Sequence, residues 1–216
     1  MSVNKENYSQ LLENLTNKQV QLVAVSKTKP IEDILALYNL GQRDFGENYV
    51  QELVDKEAAL PKDIRWHFIG HLQSNKVKYI VPFVHLIHGI DSFKLLKEVN
   101  KQAAKINRTV NCLLQIHIAE ETTKFGFDED ELFKLNDLAE LQNIRVTGLM
   151  GMASFTDNKQ KVRSEFTTLK KLFNQFAEKY SNCTILSMGM SGDYEIAMEE
   201  GSNLLRIGSL LFGERV

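Results

Sequence analysis

Lys27 ends an alternating apolar run, Val20-Gln-Leu-Val-Ala-Val-Ser26, and precedes Thr28-Lys29-Pro30. A strand here places Val23, Val25 and Lys27 on one face, and Leu22, Ala24 and Ser26 on the other. If the valines point into an enclosed interior, so does the lysine. Enclosure makes a lysine costly as a cation, and the neutral amine is a nucleophile toward aldehydes. The plainer reading is a lysine that snorkels into solvent, which is the expectation for Lys29. Two glycine-containing turns lie far downstream: Met188-Gly189-Met190-Ser191-Gly192-Asp193 and Gly208-Ser209. Backbone N–H groups in such turns can cradle phosphate oxygens, and Ser191 and Ser209 add hydroxyls. Arg206 shares a strand face with Leu204 and stands two residues before Gly208. It is either a fixed cation facing a ligand or the partner of a carboxylate at the rim.

The elements that must position these groups alternate along the chain. A helix is predicted over 4–17 and a strand over 20–26. Pro30 suits a first helical position and Gly41 a C-cap, giving a helix over 30–40. Further strands are predicted at 43–46, 65–69, 84–88, 110–118, 144–150, 184–187 and 203–207. Helices are predicted at 49–60, 73–80, 93–106, 129–141, 159–180 and 194–200, with a short one from 210 to the end. Val162, Phe166, Leu169, Phe173 and Phe176 carry the helical period of the longest. Eight strands, each followed by a helix, predict a single (β/α)8 barrel of the TIM type with an extra N-terminal helix. An open doubly wound sheet is the alternative, but no Gly-rich dinucleotide turn follows the first strand. No Gly/Ser-rich linker divides the chain, so residues 1–216 read as one domain.

Barrel active sites lie at the C-terminal strand ends, and phosphate often binds after the seventh and eighth strands. Closure makes strand eight the neighbour of strand one, which would bring Arg206, Lys27 and both turns to one cavity. An aldehyde-capturing lysine, a phosphate cradle and a permanent cation together suit pyridoxal 5'-phosphate (PLP). The chain has 216 residues, 43% hydrophobic and 25% charged, with a formal net charge of −2. That balance offers no reason to expect nucleic acid or an anionic membrane as partner. No apolar run reaches membrane-spanning length. The polar N-terminus argues against a signal peptide and for the cytoplasm. Cys112 and Cys183 sit in separate apolar runs and read as buried free thiols.

Several segments recur in order in a known family. They are Ala24-Val-Ser-Lys-Thr-Lys-Pro30, Phe45-Gly-Glu-Asn-Tyr-Val-Gln51 and Trp66-His-Phe-Ile-Gly70 with Leu72-Gln-Ser-Asn-Lys76. Gly148-Leu-Met150, Ser187-Met-Gly-Met-Ser191 and Arg206-Ile-Gly-Ser209 with Phe212-Gly213 complete the set. Over about residues 20 to 213 the chain resembles the pyridoxal phosphate homeostasis protein family, itself similar to the N-terminal barrel of alanine racemase. The resemblance implies that Lys27 carries PLP as a Schiff base and that Asn48 approaches the cofactor. It also implies that Ser191, Gly208 and Ser209 hold the phosphate and Arg206 lies against the pyridine nitrogen. Gly192 and the tail after Glu214 depart mildly from the family pattern.

Other residues divide less sharply. His67 and His71 read as hydrogen-bonded structural histidines, with a catalytic acid as the alternative. Met150, Met188 and Met190 are expected to line or support the cavity. Lys76 and Lys78 suit a solvated helix face. The segment Glu120-Glu121-Thr-Thr-Lys124-Phe-Gly126 also resembles the family but acquires no role from it.

An arginine at the pyridine nitrogen weakens the ring as an electron sink. Racemases of this fold add a β domain and a partner tyrosine, for which a sequence ending at Val216 leaves no room. The expectation is therefore a monomeric, non-catalytic carrier that sequesters PLP and passes it on, with PLP-dependent apoenzymes as candidate acceptors. A weak amino-acid racemase or related PLP enzyme is the alternative. A barrel enzyme forming a Schiff base with a phosphorylated substrate is a third reading.

Overall fold

The computed structural model describes residues 3–121, 125–135 and 137–213. Helix α1 (Lys5–Asn17) is capped by Asn4, whose side chain accepts from the Asn7 N–H at 2.9 Å. Eight parallel strands follow: β1 (Gln21–Val25), β2 (Asp44–Glu47), β3 (Arg65–Phe68), β4 (Leu86–Ile90), β5 (Val110–Ile116), β6 (Ile144–Gly151), β7 (Ile185–Ser187) and β8 (Leu204–Ile207). They pair in chain order, and β8 closes on β1 with Val23 opposite Arg206. The barrel is closed, as expected, and the open-sheet alternative is excluded.

The connecting helices are α2 (Ile31–Tyr38), α3 (Val50–Ala59), α4 (Val77–Ile80), α5 (Phe93–Ala104), α6 (Glu129–Phe133), α7 (Lys159–Lys179), α8 (Tyr194–Glu199) and α9 (Ser209–Phe212). Gly41 takes φ 103° after α2, as its C-cap position requires. The apolar stripe of α7 buries Val162, Phe166, Leu169, Phe173 and Phe176 against the sheet's outer layer. Inside the strands a second, smaller cluster joins Val23, Leu86, Leu113, Met150 and Leu204. The two clusters follow from alternation: Leu22 and Ala24 belong to the outer one and Val23 to the inner one.

Two predicted elements differ. Strand four was expected over 84–88 but runs Leu86–Ile90. The N–H of Val84 donates to Ile80 and its carbonyl accepts from Arg108, so Val84 closes the preceding turn. The strand then continues through Gly89, where a Cβ would lie 2.7 Å from the Gly70 carbonyl oxygen. The predicted helix over 129–141 ends at Phe133, and a separate 3₁₀ turn covers Asp137–Glu140. A capping box of Asp128 and Glu131 starts it. The Leu135 carbonyl accepts from the Tyr180 hydroxyl at 2.8 Å, which binds this segment to the end of α7. Cys112 and Cys183 are buried free thiols, and burial pushes both above the ordinary thiol range. Among the described residues, no helix is long and apolar enough to cross a membrane.

Candidate functional site at the barrel mouth

A cavity of about 620 Å³ opens at the C-terminal strand ends. Lys27, Asn48, Met190, Ser191, Arg206, Gly208 and Ser209 all line it, so the seven residues expected to touch the cofactor lie around one cavity. The volume suits a small-molecule ligand.

Lys27 sits in a turn immediately beyond β1, and that turn is braced from behind. Ser26 Oγ donates to Glu47 Oε1 at 2.6 Å, and the Ser26 carbonyl accepts from Lys56 Nζ at 2.8 Å. Lys56 also pairs with Glu47 at 2.8 Å and Glu52 at 2.7 Å. The Thr28 N–H donates to Glu52 Oε1 at 2.6 Å. Thr28 has φ 62°, a left-handed conformation that is strained for a β-branched residue. The buried Glu47 and Lys56, with the half-buried Glu52, therefore hold the backbone on either side of Lys27. Burial raises the Glu47 pKa, against the opposing effects of Lys56 and Ser26. Lys29 departs from expectation: its Nζ donates to the Phe212 carbonyl at 2.9 Å, tying this turn to the end of α9.

The neighbouring strand β8 carries Arg206. Its guanidinium donates to Ser187 Oγ at 2.6 Å and to the Gly151 carbonyl at 3.1 Å. Burial pushes its pKa down to about 10, partly opposed by the negative charge of Asp193, so it is still a cation at neutral pH. Its direct partners are a hydroxyl and a carbonyl, which disfavours a rim ion pair as its main role. The two glycine-containing turns meet where the Gly208 N–H donates to Ser191 Oγ at 3.2 Å. Asp193 accepts from the Met190 N–H at 2.6 Å and shapes the first turn. Asn48 reaches the cavity beside Gly70, where a Cβ would lie 2.3 Å from the Asn48 carbonyl oxygen. Only glycine admits that approach.

His67 and His71 separate. His71 lines the cavity, stacks on Phe125 with ring centroids 4.2 Å apart, and bonds Asp91 at 2.9 Å. His67 is buried inside the barrel and is not a cavity residue. The methionines separate too: Met190 lines the cavity, Met150 fills the barrel interior, and Met188 packs in the outer cluster. Met188 thus corrects the expectation that all three serve the cavity; alternation turns it away from the inward-facing Ser187 and into the outer cluster. Lys76 and Lys78 are exposed, near the Tyr79 ring. Lys124 lies outside the described residues, as does the tail from Glu214. Sequence reading missed Gln115, whose Nε2 donates to the Phe125 carbonyl at 2.7 Å, and the exposed Phe155. The inward face of β5 could have signalled Gln115; nothing local signals Phe155.

This architecture is that of the alanine racemase N-terminal barrels, and the family model described as "Alanine racemase, N-terminal domain" matches residues 3–216. An alanine racemase from Clostridium difficile 630 has the same fold, with TM-score 0.80 and 14% identity over 99% of this chain and 58% of that chain. Closer sequence relatives are pyridoxal phosphate homeostasis proteins. That of Aquifex aeolicus (strain VF5) is 43% identical over 90% of this chain and 87% of its own length. That of Synechocystis sp. (PCC 6803) is 38% identical over 97% of both. PipY of Synechococcus elongatus PCC7942, solved with PLP bound, superposes with TM-score 0.88 at 34% identity, over 96% of this chain and 99% of that chain. The chain belongs to the pyridoxal phosphate homeostasis protein family.

Proposed function

We propose that this protein binds PLP, held as a Schiff base on Lys27, and serves PLP homeostasis without catalytic turnover. The observation that carries this reading is the convergence of Lys27, Arg206 and both glycine-containing turns on one cavity. PipY, at 34% identity, was solved with the same cofactor. The donor set fits the group. An amine suits the aldehyde, Gly208 with the Ser191 and Ser209 hydroxyls suits the phosphate, and Arg206 suits the pyridine nitrogen. Asn48 and Met190 complete the walls. Bound PLP supplies an electrophilic aldehyde and an electron-accepting ring. Arg206 would set a fixed positive charge against the ring nitrogen, disfavouring its protonation and weakening that electron sink. This favours carriage over amino-acid chemistry.

The same reading makes residues 1–216 one functional domain, acting as a monomer in the cytoplasm and handing PLP to apoenzymes that require it. Intact mass after borohydride reduction in the presence of PLP should show one added pyridoxyl phosphate, mapped to the Lys27 peptide. Lys27→Ala should lose both that adduct and the visible absorbance. An adduct that persists in Lys27→Ala sinks the assignment. Sustained turnover of alanine or serine by the loaded protein would overturn the non-catalytic part, and light scattering at twice the 24.7 kDa chain mass the monomer.

A further inference from the structure

The interior of a (β/α)8 barrel is ordinarily filled by layers of branched apolar side chains. Here Val23, Leu86, Leu113, Met150 and Leu204 form only part of that filling. A line of polar groups runs through the rest. His67 Nε2 lies 3.0 Å from Asp44 Oδ1, and His67 Nδ1 lies 2.9 Å from His88 Nε2. His88 Nδ1 lies 3.3 Å from Ser187 Oγ, which accepts from Arg206 at 2.6 Å. All five residues are buried. We propose that Asp44, His67, His88 and Ser187 are positioning residues, a directional hydrogen-bonded relay that orients Arg206 in the cavity and sustains its charge.

With one proton on His67, the two ends fix every proton between them. A guanidinium only donates, and an ionised carboxylate only accepts. Arg206 therefore donates to Ser187, whose single hydrogen is spent on His88 Nδ1. His88 then carries its proton on Nε2 and donates to His67 Nδ1. His67 carries its own on Nε2 and donates to Asp44. Reversing the line would need a protonated Asp44, or an imidazolium at His67 that donates to both of its neighbours. Burial favours the protonated carboxyl, but the hydrogen bonds from His67 and Arg65 outweigh it and hold the carboxyl well below its usual range. Burial likewise pushes His88 well below the ordinary histidine range, and the Arg206 charge adds to this. An ionised Asp44 and a singly protonated His88 are both what this direction requires.

A hydroxyl whose own proton is donated along such a line is a better acceptor than an isolated one. Ser187 accordingly stabilises a cation that burial penalises, and Asp44 contributes from beyond the cavity. Asp44, His67 and His85 also have ligand atoms within 4.8 Å of one another, the spacing of a metal site. Arg65 engages both Asp44 oxygens, at 2.7 and 2.5 Å, and its charge opposes a cation there.

The first test uses the cofactor-free, ¹⁵N-labelled protein and is independent of the proposed function. Imidazole correlation spectra at neutral pH should show His88 neutral, and both His67 and His88 carrying a proton on Nε2. The Arg206 guanidinium should give slowly exchanging signals that broaden in Ser187→Ala and return in Ser187→Thr. His88 protonated on Nδ1, or Arg206 signals unchanged in Ser187→Ala, overturns the relay. The second test rests on the PLP reading. Ser187→Ala should weaken PLP binding about tenfold and shift its visible band. Asp44→Asn, outside the cavity, should move both in the same direction by less. Wild-type affinity and band in both variants overturns the positioning role. Wild-type protein that takes up no PLP defeats the cofactor reading instead, and the imidazole and guanidinium spectra alone then decide the relay.

Discussion

His88 shows how one residue's surroundings set a property of the whole fold. Its folded pKa is depressed, so below about pH 6.5 the unfolded chain binds a proton that the folded chain refuses. Stability is then complete above that range and falls with acidity, by about 1.4 kcal/mol per pH unit for one such group. His85 is shifted in the same direction, by burial and by His67, so the comparison must be with a variant. Urea unfolding across pH 5 to 7.5 should show the slope reduced in His88→Gln; an unchanged slope would exonerate His88. Asp44 acts elsewhere: its depressed pKa gives stability above the ordinary carboxylate range that is lost only as pH falls below it. None of this is written in the bare residue types. A histidine in an alternating run looks the same whether it faces a carboxylate, a second imidazole or water.

At the scale of elements, the turn beyond β1 depends on α3. Lys56 and Glu52 stand one helical turn apart and reach the Ser26 carbonyl and the Thr28 N–H together. Glu47, buried at the end of β2, completes the group, and its Oε2 has no hydrogen-bond partner among the described residues. Removing one member leaves an uncompensated charge rather than a vacant place. Lys56→Met should cost about 3–5 kcal/mol in denaturant unfolding, and Glu47→Gln in the same chain should recover part of it. A loss under about 1 kcal/mol in Lys56→Met would show that the charges are already solvated or neutralised. The strand and helix order was legible because each apolar run keeps its period. Misplaced boundaries came from two long-range bonds, Arg108 to Val84 and Tyr180 to Leu135, whose partners lie far away in sequence.

For the molecule as a whole, closure of β8 on β1 leaves the sheet without an open edge and divides its core into inner and outer clusters. Trp66 is buried beside Phe45 in the outer cluster, with ring centroids 6.1 Å apart. Its fluorescence should therefore report loss of the shell, while far-UV circular dichroism reports the helices. The two urea transitions should coincide if the barrel unfolds as one unit. Separate midpoints would divide the chain into independently melting parts. The exposed Phe155 and the half-exposed Phe125 and Met190 stand at the mouth and leave the cavity open on that side.

The chain alone determined the alternation of elements, the inward face of β1, and the lysine, arginine and glycine turns, because these depend on local period and residue chemistry. The family segments made their cofactor readable as well. Only the closed barrel decided that Lys29 is tied to α9, that Met188 faces outward, and that His67 and His71 part company. It also set a carboxylate and two imidazoles in line behind Arg206. Those facts depend on which side chains meet across strands distant in sequence, and a one-dimensional pattern carries no information about such meetings until the sheet has closed.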